Sequence, residues 1–271
     1  MSERYMEETF KNTYKGSWGI ILGASSGFGA ATARAFAKAG MNILGIHLDR
    51  KSTLENVKIL EAELLSYDVK CRFFNVNAAD ETKRKEILAE MESEVKGNVS
   101  LLFHSLAFGS LLPFIENDPK ARLSKSQMDM TMDVMANSLV YWSQDLAAGW
   151  FKEGASIYAM TSAGSSKVWK SYGAVSAAKS ALESHCRQLA LELAPQKVRA
   201  NAILAGVTDT PALRKIPGNA DMIEVAKRRN PMGRLTTPED VARAAVALSH
   251  PALSFMTGNV IRIDGGENIV E

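Results

Sequence analysis

The sequence has few of the residues on which several classes of protein depend. Only two of its 271 residues are cysteines, Cys71 and Cys186, and their spacing fits neither a metal site nor a disulfide framework. The formal net charge is only +2, and no basic block suggests a nucleic-acid partner. No apolar run approaches membrane-spanning length, and residues 1–15 lack the apolar core of a signal peptide. We therefore expect a soluble cytoplasmic protein with no metal, no nucleic-acid partner and no membrane contact.

Glycines occupy the first, fifth and seventh positions of the turn that follows the first predicted strand. That strand is Trp18–Leu22, and the turn reads Gly23-Ala24-Ser25-Ser26-Gly27-Phe28-Gly29, followed by a predicted helix over 30–39. Glycines at such a turn let a pyrophosphate approach the backbone and place it at a helix N-terminus. We interpret the turn as a phosphate-binding loop, with a purely structural turn as the alternative.

Strands and helices alternate through the rest of the first half. Further strands are predicted over 42–46, 70–76 and 99–103, and further helices over 52–65 and 80–96. Strands that alternate with helices indicate a parallel sheet. With no linker or low-complexity segment, the sequence predicts an α/β fold of one domain over 1–271. Its architecture is a single Rossmann-like, doubly wound parallel sheet with helices on both faces.

Tyr172 and Lys179 lie in a predicted helix over 170–194, which Pro195 ends. Residues seven apart on a helix differ by about 20° in direction, so the two side chains share a face. A phenol can donate a proton or stabilise an oxyanion, and a nearby ammonium favours its ionised form. Such a pair also occurs by chance, so its meaning depends on the other motifs.

The end of the second strand bears on the choice of coenzyme. An acidic residue there would accept hydrogen bonds from the adenosine ribose, and a basic one would accommodate a 2′-phosphate. His47 stands where the acidic residue is expected, and Asp49 follows beside Arg50 and Lys51. This stretch favours NADPH slightly over NADH, with solvent-exposed loop charges as the alternative reading.

Together with the ending Ile263-Asp264-Gly265-Gly266, these motifs resemble the short-chain dehydrogenase/reductase superfamily from about Trp18 to Val270. Most members carry the catalytic Tyr four residues before the Lys, where this chain has Val175. The spacing of six residues between Tyr172 and Lys179 is similar to that of bacterial enoyl-acyl-carrier-protein reductases. The stretches His104-Ser105-Leu106-Ala107-Phe108 and Asn201-Ala202-Ile203-Leu204-Ala205-Gly206 resemble the same enzymes.

Other positions resemble ketoreductases instead. The Gly-rich turn keeps the ordinary superfamily form, and Ser162 is the typical ketoreductase residue where well-known enoyl reductases carry a second Tyr. The position of the ketoreductase proton-relay Asn holds Met135, although Asn137 lies two residues on. The mixture resembles a smaller, NADPH-dependent bacterial subgroup of enoyl reductases. His104 invites a general-base role, but a His at a strand end is more often a structural group.

The chemistry gives the displaced Tyr a reason. In an enoyl thioester the hydride reaches the β-carbon while the charge develops on the thioester oxygen, further away than in a ketone. Moving the Tyr from position 175 to 172 shifts it nearly one helical turn, about 4.5 Å. The expected reaction is therefore reduction of trans-2-enoyl thioesters by NAD(P)H in fatty-acid biosynthesis. The alternatives are a 3-ketoacyl or other carbonyl reductase, and an NAD(P)H-binding regulator without turnover.

The resemblance also implies roles for individual residues. Tyr172 binds the enolate oxygen, Lys179 binds the nicotinamide ribose, and Ser162 assists Tyr172 or holds water. Phe108 and Gly109 join Tyr172 in binding the substrate. The residues expected at the coenzyme are Gly23, Ser25, Ser26, Gly27, Phe28, Gly29, His47, Asn75, Val76, Ser105, Leu106, Ala107, Lys179, Gly206, Val207, Thr208 and Thr210.

A flap over the acyl chain is predicted at about 207–230, with an ordinary pair of surface helices as the alternative. The flap carries basic residues that would attract an acidic acyl-carrier protein or a coenzyme phosphate, or would merely face solvent. These residues are Lys215, Lys227, Arg228 and Arg229. The resemblance implies a homotetramer.

Overall fold

Seven strands form one parallel sheet in the computed structural model, which describes residues 8–270. The strands are β1 (Trp18–Leu22), β2 (Asn42–His47), β3 (Cys71–Asn75), β4 (Val99–His104), β5 (Phe151–Thr161), β6 (Arg199–Ala205) and β7 (Val260–Ile263). They lie in the order β3-β2-β1-β4-β5-β6-β7. The predicted α/β fold with a doubly wound parallel sheet is confirmed.

Helices cover both faces of the sheet. They are α1 (Gly27–Lys38), α2 (Leu54–Leu65), α3 (Glu81–Val95), α4 (Lys125–Met132), α5 (Ser138–Ala147), α6 (Gly173–Glu192), α7 (Asn219–Arg229) and α8 (Pro238–Leu248). Alternate residues of β1 enter opposite cores, because successive side chains of a strand point to opposite faces. Ile20 packs in the core under α3, α5 and α6, whereas Ile21 packs in the core under α1, α2 and α8.

The order of the strands reverses between β1 and β4, and this reversal positions the site. The two strands are parallel neighbours in which Leu22 pairs with His104. The chain leaves β1 toward one side of the sheet and leaves β4 toward the other, so a crevice opens at their carboxyl ends. The Gly-rich turn follows β1 and Ser105 follows β4, with the Ser105 amide donating to Leu22 O at 2.8 Å.

Helix α6 is shorter than the sequence predicts, and it begins after Tyr172. The prediction was a helix over 170–194, but the helix spans Gly173–Glu192. Ser171 has a left-handed backbone with φ of 62°, and Tyr172 is the residue that caps the helix. Tyr172 is therefore outside the helix that carries Lys179. Most other predicted elements differ from the observed ones by one to three residues at an end.

None of the helices in residues 8–270 is long and apolar enough to cross a membrane. Over the same range, no three side chains of the metal-binding types cluster. Part of the polar segment 1–15 lies outside the described residues, as does Glu271.

Candidate active site

The hydroxyl of Tyr172 faces Ser162 across the carboxyl end of β5. Ser162 Oγ and Tyr172 Oη lie 3.5 Å apart, at the long end of hydrogen-bond distance. Gly164 permits the approach, because a Cβ at that position would lie 2.5 Å from the Tyr172 ring. Burial raises the pKa of Tyr172, and the hydrogen bond with Ser162 offsets only part of this effect. The phenol therefore remains protonated at neutral pH and can donate a hydrogen bond.

Lys179 brings its ammonium to the ends of β4 and β5. Its Nζ donates to Met160 O at 2.7 Å and to Leu106 O at 3.4 Å. The side chain is buried, and burial lowers its pKa to about 8. The pKa of Tyr172 is shifted by burial and by Ser162.

No hydroxyl occupies the position where most superfamily members carry Tyr. Val175 is buried there and packs in an apolar cluster with Val134 and Met135. A Cβ at Gly109 would lie 2.7 Å from Met135 Sδ and 2.9 Å from a Val175 methyl, so both side chains lie beneath Gly109. The amide oxygen of Asn137, the other candidate for the proton-relay position, lies 3.3 Å from His185 Nε2. Met135, not Asn137, is therefore the residue beneath Gly109.

The surroundings of His104 favour a structural role over a catalytic one. It is fully buried, and its Nε2 lies 2.9 Å from Ser138 Oγ. Because Ser138 Oγ donates to Val134 O at 2.8 Å, it accepts from His104 Nε2–H. Burial, followed by the Lys179 charge, lowers the pKa of His104 to about 3. A neutral histidine held in this way supports the structural reading over the general-base role.

The turn after β1 has the properties of a phosphate site. Gly23 has φ of +85°, and a Cβ there would collide with Ser105 O, while a Cβ at Gly29 would collide with Gly23 O. Ser26 is exposed and caps α1 without a side-chain hydrogen bond to the helix. The first amides of α1 are thus left for an outside acceptor, and an anion is favoured at a helix N-terminus. The residues fit a nucleotide pyrophosphate.

The predicted adenosine end is organised around Asp49. His47 is buried, and its Nδ1 lies 2.9 Å from Asp49 Oδ2. Thr53 donates to Asp49 Oδ1 at 2.7 Å, and the Asn75 amide bonds both the N–H and the C=O of Asp49. Burial would raise the Asp49 pKa, but hydrogen bonds from Ser25, Thr53 and His47 lower it overall. The Asp49 carboxylate is therefore ionised and already hydrogen-bonded within the protein.

Arg50 and Lys51 are the exposed charges next to that carboxylate. Neither forms an ion pair within residues 8–270, whereas Asp49 is held by its neighbours. His47, which the sequence placed at the ribose, is turned into the protein.

The loop after β6 passes over the Gly-rich turn. A Cβ at Gly27 would lie 3.6 Å from the Thr210 methyl. The hydroxyls of Thr208 and Thr210 are both buried; Thr208 donates to Gly206 O, and Thr210 accepts from an amide of the same loop. The Val207 amide donates to Glu267 Oε2 at 2.9 Å. No sequence pattern pointed to Glu267, because it lies 60 residues further along the chain.

The remaining predicted residues lie at the same edge of the sheet. Val76 follows β3, and its amide donates to His47 O at 2.7 Å. Phe28 is half-buried at the start of α1. Ala107 and Phe108 are exposed after β4. Phe114, which the sequence did not single out, has its ring against Gly173, next to Tyr172.

The segment predicted as a flap contains a short 3-10 turn, Leu213–Lys215, followed by α7. Leu213, Ile216 and Ala226 are buried, while Lys215, Lys227 and Arg228 are exposed.

Comparison with known proteins agrees with this geometry. Residues 23–268 match the family described as enoyl-(acyl carrier protein) reductase. An NADH-dependent enoyl-[acyl-carrier-protein] reductase of Rickettsia conorii is 31% identical, over 76% of this chain and 78% of the relative. L-xylulose reductase of Mesocricetus auratus is 26% identical, over 91% of this chain and 94% of the relative. The crystal structure of FabI from Candidatus Liberibacter asiaticus has a TM-score of 0.82 and 27% identity, covering 96% of this chain and 98% of that one. The chain belongs to the enoyl-(acyl carrier protein) reductase family of the short-chain dehydrogenase/reductase superfamily.

Proposed function

We propose that the protein reduces the carbon–carbon double bond of trans-2-enoyl thioesters with a nicotinamide coenzyme, in fatty-acid biosynthesis. The observation that carries the proposal is the position of the phenol. Tyr172 brings its hydroxyl to Ser162, whereas position 175 holds a buried valine. A carbonyl reductase of the ordinary form would need its acid at the latter position.

Tyr172 suits a reaction in which charge develops on a thioester oxygen. A nicotinamide coenzyme held there would supply the hydride. Because burial keeps the Tyr172 phenol protonated, its O–H can donate to the oxygen of the enolate and stabilise the developing charge. Met135 and Val175 are apolar side chains beneath Gly109, and they favour a hydrocarbon substrate next to that donor. A proton linked to solvent then completes reduction at the α-carbon.

Lys179 and the Gly-rich turn would hold the coenzyme. The turn offers Ser26 and the first amides of α1 to a pyrophosphate. Lys179, fixed by two carbonyls, would donate its remaining N–H to the nicotinamide ribose. We favour NADPH over NADH, because the Asp49 carboxylate is engaged and Arg50 and Lys51 are the exposed charges beside it.

The acyl group is proposed to arrive on an acyl-carrier protein. The exposed side chains of Lys215, Lys227 and Arg228 on the flap support an acidic carrier. A coenzyme A thioester is the second candidate, because its phosphates would meet the same cations.

One observation favours a second candidate function. The hydroxyls of Ser162 and Tyr172 are within 3.5 Å, a pairing that could bind a ketone oxygen. A 3-ketoacyl or other carbonyl reductase therefore has to be tested beside the enoyl reductase.

The test follows coenzyme oxidation with a trans-2-enoyl thioester and, separately, with a 3-ketoacyl thioester, each with NADPH and NADH. We expect oxidation with the enoyl substrate and a higher kcat/KM with NADPH. Tyr172→Phe should lower kcat with the enoyl substrate by about 10²-fold or more, because one oxyanion donor is lost. Tyr67→Phe is the matched control, since its half-buried hydroxyl bonds Glu63 just before β3, at the opposite end of the strands from the site.

Two results would count against the proposal. Turnover of only the ketoacyl substrate would make Ser162 the better guide to function. Full enoyl reduction by Tyr172→Phe would remove the role of the displaced phenol.

A further inference from the structure

Trp169 connects the turn before α6 to the flap. Its indole Nε1–H donates to Pro217 O at 2.9 Å. A Cβ at Gly218 would lie 3.2 Å from Trp169 Cζ2, so the ring also contacts Gly218. Gly218 has φ of +77° and caps α7. One side chain thus contacts the two residues that lead into the flap helix.

The backbone of the same residue holds Tyr172. The Tyr172 amide donates to Trp169 O at 3.2 Å, closing a turn that passes through Ser171 with φ of 62°. A left-handed backbone is uncommon for a residue other than glycine and persists only where its surroundings impose it. The hydrogen bond from Tyr172 to Trp169 and the contact of the indole with the flap are such surroundings.

Trp169 is not explained by the hydrophobic core. Its side chain is 37% exposed, whereas Trp18, Trp142 and Trp150 are buried. The neighbouring Val168 is 97% exposed. The contacts of Trp169 with the flap are therefore what fixes its position, and the same residue fixes the backbone of Tyr172.

We propose that Trp169 is a positioning residue that couples the flap to Tyr172. When residues 217–218 of the flap are seated, the indole and the turn behind it hold the Tyr172 hydroxyl beside Ser162. When the flap moves away, the turn over residues 169–172 becomes more mobile and the Tyr172 hydroxyl is no longer held beside Ser162. The effect on turnover rests on the enoyl reductase proposed above, but the mechanical coupling does not.

Amide hydrogen exchange of the intact protein without substrate tests the coupling directly. Trp169→Phe keeps an aromatic ring on Gly218 and removes only the N–H donor. Losing one hydrogen bond should speed exchange at the Gly218, Asn219 and Tyr172 amides by about 3- to 10-fold each. Gly218→Ala should also speed exchange at the Tyr172 amide, because its Cβ would press on the indole of Trp169.

Two matched controls separate this coupling from general loosening. Gly97→Ala imposes the same backbone strain, at φ of +79°, where a Cβ would meet nothing within 4 Å. Val168→Ala removes an exposed side chain next to Trp169. Neither control should alter exchange at Tyr172. Faster exchange in the flap with no change at Tyr172, in both Trp169→Phe and Gly218→Ala, would overturn the proposal.

Kinetics supply a second readout. If the enzyme turns over enoyl thioesters, Trp169→Phe should lower kcat about 3- to 10-fold and leave the coenzyme KM within about twofold. A rise in coenzyme KM with unchanged kcat would contradict a role through Tyr172. If no enoyl thioester is reduced, the proposed function fails while the exchange result still decides the coupling.

Discussion

Lys179 is a buried ammonium whose hydrogen-bond acceptors are both backbone carbonyls. No carboxylate contacts it among residues 8–270, since Glu183 bonds Thr161 instead. Burial therefore lowers its pKa to about 8, close enough to neutrality for the charge to be lost under mild conditions. A site that depends on this cation should consequently depend on pH.

We expect the affinity for NADPH to fall as pH rises through the Lys179 pKa. The ammonium is protonated below about pH 8 and can donate to the coenzyme, and above it the charge is lost. Coenzyme binding stabilises the protonated form, so the midpoint in the complex lies somewhat higher. The dissociation constant, from fluorescence titration, should change little from about pH 6 to 7.5 and rise severalfold by about pH 9.5.

Lys179→Met is the control for this titration. It should bind NADPH weakly with little pH dependence over the same range. Burial lowers the His104 pKa to about 3 and raises the Cys186 pKa to about 12, so neither nearby group titrates in that interval. Unchanged wild-type affinity up to about pH 9.5 would show that Lys179 does not contribute its charge to binding.

The residues of the site differ in how well a sequence can reveal them. Tyr172, Lys179 and the Gly-rich turn are local patterns, and the structure brings them to one edge of the sheet. Trp169 and Glu267 carry no such pattern, because their partners Pro217 and Val207 are 48 and 60 residues away. Such contacts depend on the paths of loops, which spacing along the chain does not determine.

At the scale of single elements, helix α8 was predictable and the start of α6 was not. Thr237 caps α8 and Pro238 opens it, which are local helix-start signals, and Thr237 and Asp240 form a reciprocal capping box. Nothing local to Lys170 and Ser171 forbids a helix. The chain turns there because Trp169 is held by the flap and Ser176 Oγ donates to Gly164 O. Tertiary contacts, which a local pattern does not contain, set that boundary.

The capping box gives a prediction about stability. Thr237 Oγ1 accepts from the Asp240 amide at 3.2 Å, and Thr237→Ala removes this bond and leaves the amide only its contact with the Thr237 carbonyl. The free energy of unfolding in urea should fall by about 1 kcal/mol. Because α8 packs beside α1 in the same core, the loss should be transmitted to the whole domain.

Thr82→Ala in α3 is the matched control. Thr82 is an exposed helical residue, and Ala has the higher helix propensity, so its unfolding free energy should stay within about 0.5 kcal/mol of wild type. If Thr237→Ala were no more destabilising than Thr82→Ala, the capping box would contribute nothing to stability.

At the scale of the whole molecule, the end of the chain connects separate loops of the site. Asn230 Nδ2, at the end of the flap, donates to Asp264 O at 3.0 Å, and Lys167 Nζ donates to Asn268 Oδ1 at 3.0 Å. Glu267 accepts from the Val207 amide. The order of strands and helices follows from hydrophobic periodicity, but this convergence does not, because each bond joins loops that are distant in sequence.

The sheet also ends at an uncovered edge, which bears on assembly. Within residues 8–270, β7 pairs only with β6. Val260 on β7 is 39% exposed, and Phe255 just before it is fully exposed. An exposed edge strand with apolar side chains is a template for association unless another chain covers it. The homotetramer implied by the family resemblance would give this edge a partner.

We predict a species of four 29.5 kDa chains in light scattering at micromolar concentration. Val260→Lys should shift it to a smaller species, because the introduced ammonium would share a strand face with Arg262 and bring like charges to the contact. Ile59→Lys, which places a lysine on an exposed apolar site of α2, should leave the mass unchanged. A monomeric wild type would refute the tetramer. A tetrameric Val260→Lys variant would instead show that the assembly uses another face and leaves β7 open.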